Sequence, residues 1–231
     1  MFIFVTGTDT GVGKTVFTAL LLHHLIEEGV NVVGLKPFCS GNRKDASTLA
    51  SVQKGHLSLD EINAFHFAYP VTPLLAARNV GQAITARAAL ARLRPWSKQA
   101  DAIVVEGAGG LLSPLGEGLS SLDLIKALRC AVVLVAPNRL GVINHVRLNL
   151  EVLHRHRVRP PAVVLMGVKE PDQSVARNAD ILRELASEMP VHTIPHLGRQ
   201  PVAKTALKKN YLKVKKTLAE VMGHLYFPPR S

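Results

Sequence analysis

Nine residues near the amino terminus, Gly7-Thr8-Asp9-Thr10-Gly11-Val12-Gly13-Lys14-Thr15, contain what a phosphate cradle needs. Glycines in such a loop let successive backbone N–H groups converge on an anion. The apolar run Phe2–Val5 precedes the loop, and a helical pattern over Lys14–Glu28, stopped by Gly29, follows it. A helix starting there aims its positive end at the same anion. Lys14 can reach terminal phosphates, and the Thr15 hydroxyl can ligate Mg²⁺. One departure stands out. The usual spacing G-x-x-x-x-G-K-[ST] asks for glycine at position 8, where this chain has Thr8 and carries its glycine one place earlier, at Gly7. The reading is a nucleoside triphosphate site formed by Gly11, Val12, Gly13, Lys14, Thr15 and Val16.

Three further polar residues fall where a ligand of a parallel sheet would sit, beyond the carboxyl ends of strands. Lys36 directly follows Val-Val-Gly-Leu, Glu106 ends Ala-Ile-Val-Val-Glu, and Asp45 lies a short loop beyond Lys36. A lysine in that apolar setting is costly unless an anion faces it. A carboxylate at position 106 can complete Mg²⁺ coordination with Thr15 and phosphates. Plainer roles exist for each: a strand-end lysine reaching out to water, a carboxylate capping a loop, and a helix N-cap for Asp45. Gly107-Ala108-Gly109-Gly110 makes a second flexible loop at the same edge.

The elements that must position these groups follow from the apolar pattern. Runs of Val and Ile without polar alternation occupy Phe2–Val5, Val30–Leu35, Ala102–Val105, Ala131–Ala136, Ala162–Met166 and Val191–Ile194. Such runs suit strands buried on both faces. Helical patterns fall between them, at Ala46–Gln53, Thr85–Leu93, Leu122–Arg129, Ile143–Arg155 and Ser174–Ser187. The alternation predicts an α/β fold, a doubly wound, mainly parallel sheet flanked by helices. With the opening loop it is of the P-loop NTPase type. The pattern shows no repeat and no linker, so residues 1–231 are expected to form one domain.

Bulk properties narrow the function. The chain has 231 residues, 47% of them hydrophobic, and only Cys39 and Cys130 as thiols, which excludes a disulfide framework. No apolar run approaches the roughly 20 residues of a membrane span, and MFIFV carries no basic leader, so a cytoplasmic location is expected. The net charge is +11. Between Arg199 and Ser231 stand eight basic residues against one acid, Glu220. Leu207, Tyr211, Val214, Leu218 and Val221 recur there at helical spacing, so the lysines read as one solvated helix face. Nucleic-acid and membrane partners are therefore not expected. The ten histidines show no metal spacing: His192 and His196 are separated by Pro195. Cys39 reads as packing.

In combination, GTDTGVGKT, KPFCSG, VEGAGG and LVAPNRLGVINH are highly specific, and through them the chain resembles the dethiobiotin synthetase family up to about Leu197. The resemblance implies a homodimeric ligase that uses ATP and Mg²⁺ to join CO₂ to the two amines of 7,8-diaminononanoate, closing a cyclic urea. One amine becomes a carbamate, a carbamate oxygen attacks the γ-phosphate, and the second amine closes the ring and expels phosphate. It implies Lys36 and Lys14 as catalytic residues, and Thr15, Asp45 and Glu106 as the Mg²⁺ positions. Thr10 and Ser40 would meet the diamine. Gly141, Val142 and Asn144 would receive its distant carboxylate from the partner subunit. Gly107, Ala108 and Gly109 would line the nucleotide, and Pro195, His196 and Leu197 would run beside its base.

This sequence departs from the family in two places. The segment between Lys36 and Asp45 is short, and Gly167-Val168 stand where the family has an Asn-Asp pair to read adenine. A glycine offers no side-chain amide to a base, so relaxed nucleotide selection is expected. A partitioning-type switch ATPase is the alternative in another class. Its relatives commonly carry a lysine five places before Lys14, where this chain has Asp9, and it has no use for KPFCSG or VEGAGG. A cobyrinate-type amide ligase would normally add a glutaminase domain, for which this chain has no room. Lys36→Ala is expected to abolish turnover with little loss of stability.

Overall fold

The computed structural model describes residues 1–54, 56–159, 161–186 and 189–226. In chain order its elements are β1 (Phe2–Gly7), α1 (Lys14–Glu27), β2 (Val32–Leu35), β3 (Phe38–Ser40), α2 (Lys44–Val52), α3 (Leu59–Ile62), β4 (Phe65–Phe67), α4 (Pro73–Asn79) and α5 (Ala86–Leu93). There follow β5 (Ala102–Glu106), β6 (Pro114–Gly116), β7 (Leu119–Ser120), α6 (Ser121–Leu128), β8 (Ala131–Asn138), α7 (Val142–Arg155), β9 (Ala162–Gly167), α8 (Asn178–Leu185), β10 (Val191–Ile194) and α9 (Lys204–Tyr226).

The six apolar runs pair as one parallel sheet in the order β10-β9-β8-β1-β5-β2. β1 lies between β8 and β5, with Gly7 opposite Val135 and Val5 opposite Glu106. The connection from β1 runs toward β2 and that from its neighbour β8 runs the other way, toward β9, so a crevice opens between the carboxyl ends of β1 and β8. Helices cover both faces. Val5, Val133, Val135 and Val164 pack with Phe17, Leu20 and Leu21 of α1 and with Val214 and Leu218 of α9. On the other face Phe4, Ile103 and Val105 meet α5 and α6, while Leu134, Val163 and Leu165 meet α7 and α8. Burial on both faces explains the unbroken Val and Ile runs.

α1 is buried on nearly every side because the sheet, α2 and α9 enclose it. β2 approaches it closely: a Cβ on Gly34 would lie 2.3 Å from Leu22 Cδ1. α9 buries Tyr211, Val214, Leu218 and Val221, and leaves Lys208, Lys209, Lys213, Lys215 and Lys216 in solvent. The expected solvated face is there.

The helix anticipated over Ser174–Ser187 starts as a short 3₁₀ turn, Gln173–Ala176, and continues as α8; Ser187 lies outside the described residues, as does the end of the basic stretch at 227–231. Four features were not anticipated: α3, α4, the parallel pair β3–β4, and the hairpin β6–β7. Each is too short for a periodic signal. No helix among the described residues is long and apolar enough to cross a membrane.

Candidate active site

The phosphate loop joins β1 to α1. Gly7 is needed for close approach rather than for an unusual dihedral, since a Cβ there would lie 2.8 Å from Val12 Cγ2. Gly13, the residue before α1, has φ 103°, a left-handed conformation that disfavours any side chain. Val12 points into the core. The Lys14 ammonium donates to the Asp9 carbonyl at 2.6 Å, folded back over its own loop. Burial, with the charge of Lys36 adding to it, lowers the Lys14 pKa to about 8. An arriving polyphosphate would reverse that, since an opposite charge favours the protonated form.

Lys36 is 4% exposed and lies immediately beyond β2. Its ammonium donates to Glu106 Oε1 at 2.6 Å and to the Gly107 carbonyl at 2.9 Å, and sits 3.2 Å from Asp45 Oδ2. Burial alone would lower its pKa. Glu106 and Asp45 outweigh that and raise it above the ordinary lysine value, so Lys36 is held protonated. Its backbone is fixed from two sides. Gln53, which caps the carboxyl end of α2, exchanges bonds of 2.8 and 3.0 Å with the N–H and carbonyl of Gly34, and buried Asn63 donates to the carbonyls of Lys36 and Pro37. These amides place the ammonium by locking the strand end that carries it.

Glu106 Oε1 also accepts from the Thr15 hydroxyl at 2.7 Å, tying β5 to the first turn of α1. Its Oε2 is buried and has no hydrogen-bond partner among the described residues. An orphaned carboxylate oxygen is costly. Together with Asp45 and the Thr15 hydroxyl it makes an all-oxygen donor set of the kind hard divalent cations take. The Lys36 ammonium already lies against both carboxylates, which marks the spot as one that favours a cation.

A cavity of about 680 Å³ opens over these groups. Thr10, Gly11, Gly13, Lys14, Thr15, Val16, Lys36, Ser40, Asp45, Glu106, Ala108 and Gly109, all singled out in the sequence, line it. The Gly107 carbonyl faces Lys36 from behind the wall. The remaining candidates lie elsewhere: Gly141, Val142 and Asn144 at the start of α7, and Pro195, His196 and Leu197 in the loop after β10. Pro70, Val71, Thr72 and Pro73 also line the cavity and were not anticipated. Pro73 at the first position of α4 was the available signal. Cys39 also borders the cavity, but burial pushes its thiol up to about 11, which leaves it inert.

A family model described as an AAA domain matches residues 2–207. The ATP-dependent dethiobiotin synthetase BioD of Anaeromyxobacter dehalogenans is 37% identical over 198 residues, covering 84% of this chain and 89% of that protein. The protein of the same name from Nitrosospira multiformis is 39% identical over 71% of this chain and 72% of its own. The chain belongs to the dethiobiotin synthetase family. It is accordingly an ATP-dependent ligase of biotin biosynthesis. A third synthetase, from Bacillus licheniformis, matches at 34% identity over 86% of this chain and 84% of its own.

Among solved structures, the MinD cell division protein of Aquifex aeolicus superposes with a TM-score of 0.63 over 99% of both chains at 16% identity. The pNOB8 ParA protein bound to nonspecific DNA gives 0.58 at 13% identity, over 96% of this chain and 98% of that one. At those identities they establish the P-loop ATPase fold of this synthetase and nothing more.

Where the sequence led to the expectation of a base-reading pair, the glycine has a structural reason. Gly167 ends β9, and a Cβ there would lie 2.4 Å from the His196 N and 2.7 Å from the Pro195 carbonyl carbon. Backbone occupies the space where a side chain would start. At that point the chain therefore carries no side chain.

Proposed function

We propose that this synthetase, acting as a single domain, carboxylates 7,8-diaminononanoate with CO₂ or bicarbonate and closes the ring at the expense of ATP. The observation that carries the reading is the buried Lys36 ammonium, held between Glu106 and Asp45 in a cavity continuous with the phosphate loop. The reaction must bring an anionic carbamate against an anionic phosphoryl group. Lys36 and Lys14 supply fixed positive charge on either side of that meeting point, the electrostatic form of catalysis that phosphoryl transfer relies on. Backbone amides of Gly11–Val16 bind the phosphates, and Thr10 and Ser40 orient the diamine. The Ser40 hydroxyl is buried with no partner among the described residues, as a substrate contact would be before its ligand arrives. Thr15, Asp45 and Glu106 would hold Mg²⁺, which when bound neutralises charge on the phosphates. As Lys36 now leans on two of these residues, its ammonium must turn toward substrate when they take a cation.

Two finer points belong to the same reading. Gly167 leaves base recognition to backbone around Pro195-His196-Leu197, so ATP, CTP and GTP should all serve. Dimerisation through the face beside α7 would bring Gly141, Val142 and Asn144 of one protomer to the cavity of the other. The start of α7 has no side-chain cap, and although the Val142 N–H is turned to the Arg139 carbonyl, a helix N-terminus there suits a carboxylate. The test combines the protein with diaminononanoate, bicarbonate, Mg²⁺ and each nucleotide in turn, following phosphate release and dethiobiotin. Phosphate release indifferent to diaminononanoate would overturn the proposal and favour a switch ATPase.

A further inference from the structure

The phosphate loop has two flanks. On the β5 and β2 flank lie Lys36, Asp45, Glu106 and the cavity proposed for diamine. The nucleoside end of a bound triphosphate must then leave over the other flank, at the carboxyl ends of β9 and β10. Contacts there are close. Met166 of β9 packs on the phosphate loop itself: a Cβ on Gly13 would lie 2.9 Å from Met166 Cγ. The next residue, Gly167, abuts the backbone of Pro195 and His196. A chain of direct contact thus runs from the phosphate loop to the loop after β10.

That loop needs an anchor. Pro195, His196, Gly198, Arg199 and Gln200 are exposed, and Gly198 has φ 93°. On the side away from Gly167 it meets α9 through one buried polar side chain. Asn210, 4% exposed, donates from Nδ2 to the Leu197 carbonyl at 3.3 Å and to the Pro201 carbonyl at 2.8 Å. Both amide hydrogens are spent across the span that encloses Gly198. Asn210 itself is held by Tyr211 and Val214, which sink α9 into the core. An exposed loop is thereby pinned between a strand end without a side chain and an asparagine on a rigid helix.

We infer that Asn210 is a positioning residue for the nucleoside: it sets the loop at Pro195–Pro201 against which the base rests. The inference rests on the nucleotide site proposed above. It also gives α9 a part in substrate binding, beyond covering the sheet. Since the base meets backbone rather than side chains here, the placement of that backbone decides nucleoside affinity.

The test compares the full-length protein with Asn210→Ala and Asn210→Ser by calorimetry, with Mg²⁺ present. Two probes are used, ATP and inorganic tripolyphosphate, which shares the phosphates but has no nucleoside. Loss of the anchor should weaken ATP about tenfold while tripolyphosphate is unchanged. The ratio of the two affinities corrects for any unfolded fraction, so a partly destabilised variant still reports. Asn210→Gln, which keeps the amide, should recover part of the ratio. An unchanged ratio in both variants, whether or not each affinity falls, would overturn the inference and leave Asn210 a core asparagine. If the unmodified protein binds ATP no better than tripolyphosphate, the base site itself is absent, and the nucleotide reading fails first.

Discussion

Glu106 receives hydrogen bonds from Thr15 and Lys36 on one oxygen and, among the described residues, none on the other. Removing Lys36 would strand a carboxylate that is 1% exposed. Breaking a buried pair from one side costs about 3–5 kcal/mol. Lys36→Ala should therefore lower both turnover, by at least about a hundredfold, and stability, rather than spare the fold as the sequence suggested. Lys36→Met with Glu106→Gln removes both charges together. It should regain most of the stability and none of the activity, which separates the catalytic loss from the structural one. A single Lys36→Ala variant that turns over at a near-normal rate would end the assignment. Base choice is the second expectation at this scale. With Gly167 barred from carrying a side chain, ATP, CTP and GTP should differ in kcat/KM by less than about a hundredfold, and strict ATP dependence would refute it. Lys36, Glu106 and Thr15 were legible because each stands at a strand or helix end, where type and place coincide. Gln53 and Asn63, which fix the strand end under Lys36, were not. A polar residue that serves only backbone groups leaves no spacing to read.

At the scale of elements, α9 docks on α1 through aromatic and imidazole rings. The His23 and Tyr211 rings stand 4.8 Å apart at 86°, and His24 Nδ1 is 3.3 Å from the Tyr211 hydroxyl. Burial lowers both histidine pKa values. Around His23, Glu27 opposes the shift while Lys208 and Lys54 reinforce it; around His24, Glu28 opposes it while Lys215 and His23 reinforce it. Both histidines are thus held neutral in the fold and take up protons more readily when it opens. Stability from this contact is complete above the ordinary histidine value of 6.5 and declines as pH falls below it. The melting temperature should drop by a few degrees between about pH 8 and about pH 5.5. His24→Gln should flatten the slope. An unflattened slope would move the effect to His192 on β10, whose pKa is also lowered by burial, near Glu220, His224 and Arg183. The sheet strands and the longer helices could be read in advance because burial on two faces writes runs of Val and Ile, and burial on one writes a 3.6-residue period. β3, β4, β6 and β7 span two or three residues each, so only tertiary pairing defines them.

For the molecule as a whole, the question is what covers its exposed leucines. Leu140 is 78% exposed, and Leu112 and Leu148 are 58%. Leu112 and Leu148 border one hollow with Thr8, Asp9 and Gly110, on the outer side of the phosphate loop. Leu148 belongs to α7, the helix whose first residues are proposed to receive the substrate carboxylate from across the interface. In a two-fold dimer the same patch meets itself, so burying this one face would protect the leucines of both protomers at once. It would also carry each α7 start toward the other cavity. Burying such leucines contributes about 1.5–3 kcal/mol each, and a charge among them reverses the sign. The unmodified protein should therefore sediment as a dimer and Leu148→Glu as a monomer. Its KM for the diamine should rise by about tenfold or more, with the KM for nucleotide little changed, because Gly11–Val16 belong to the same protomer. The asymmetry between the two KM values carries the argument, since a general loss of fold would raise both. A protein that is monomeric before substitution and fully active would leave Gly141, Val142 and Asn144 with no substrate to meet.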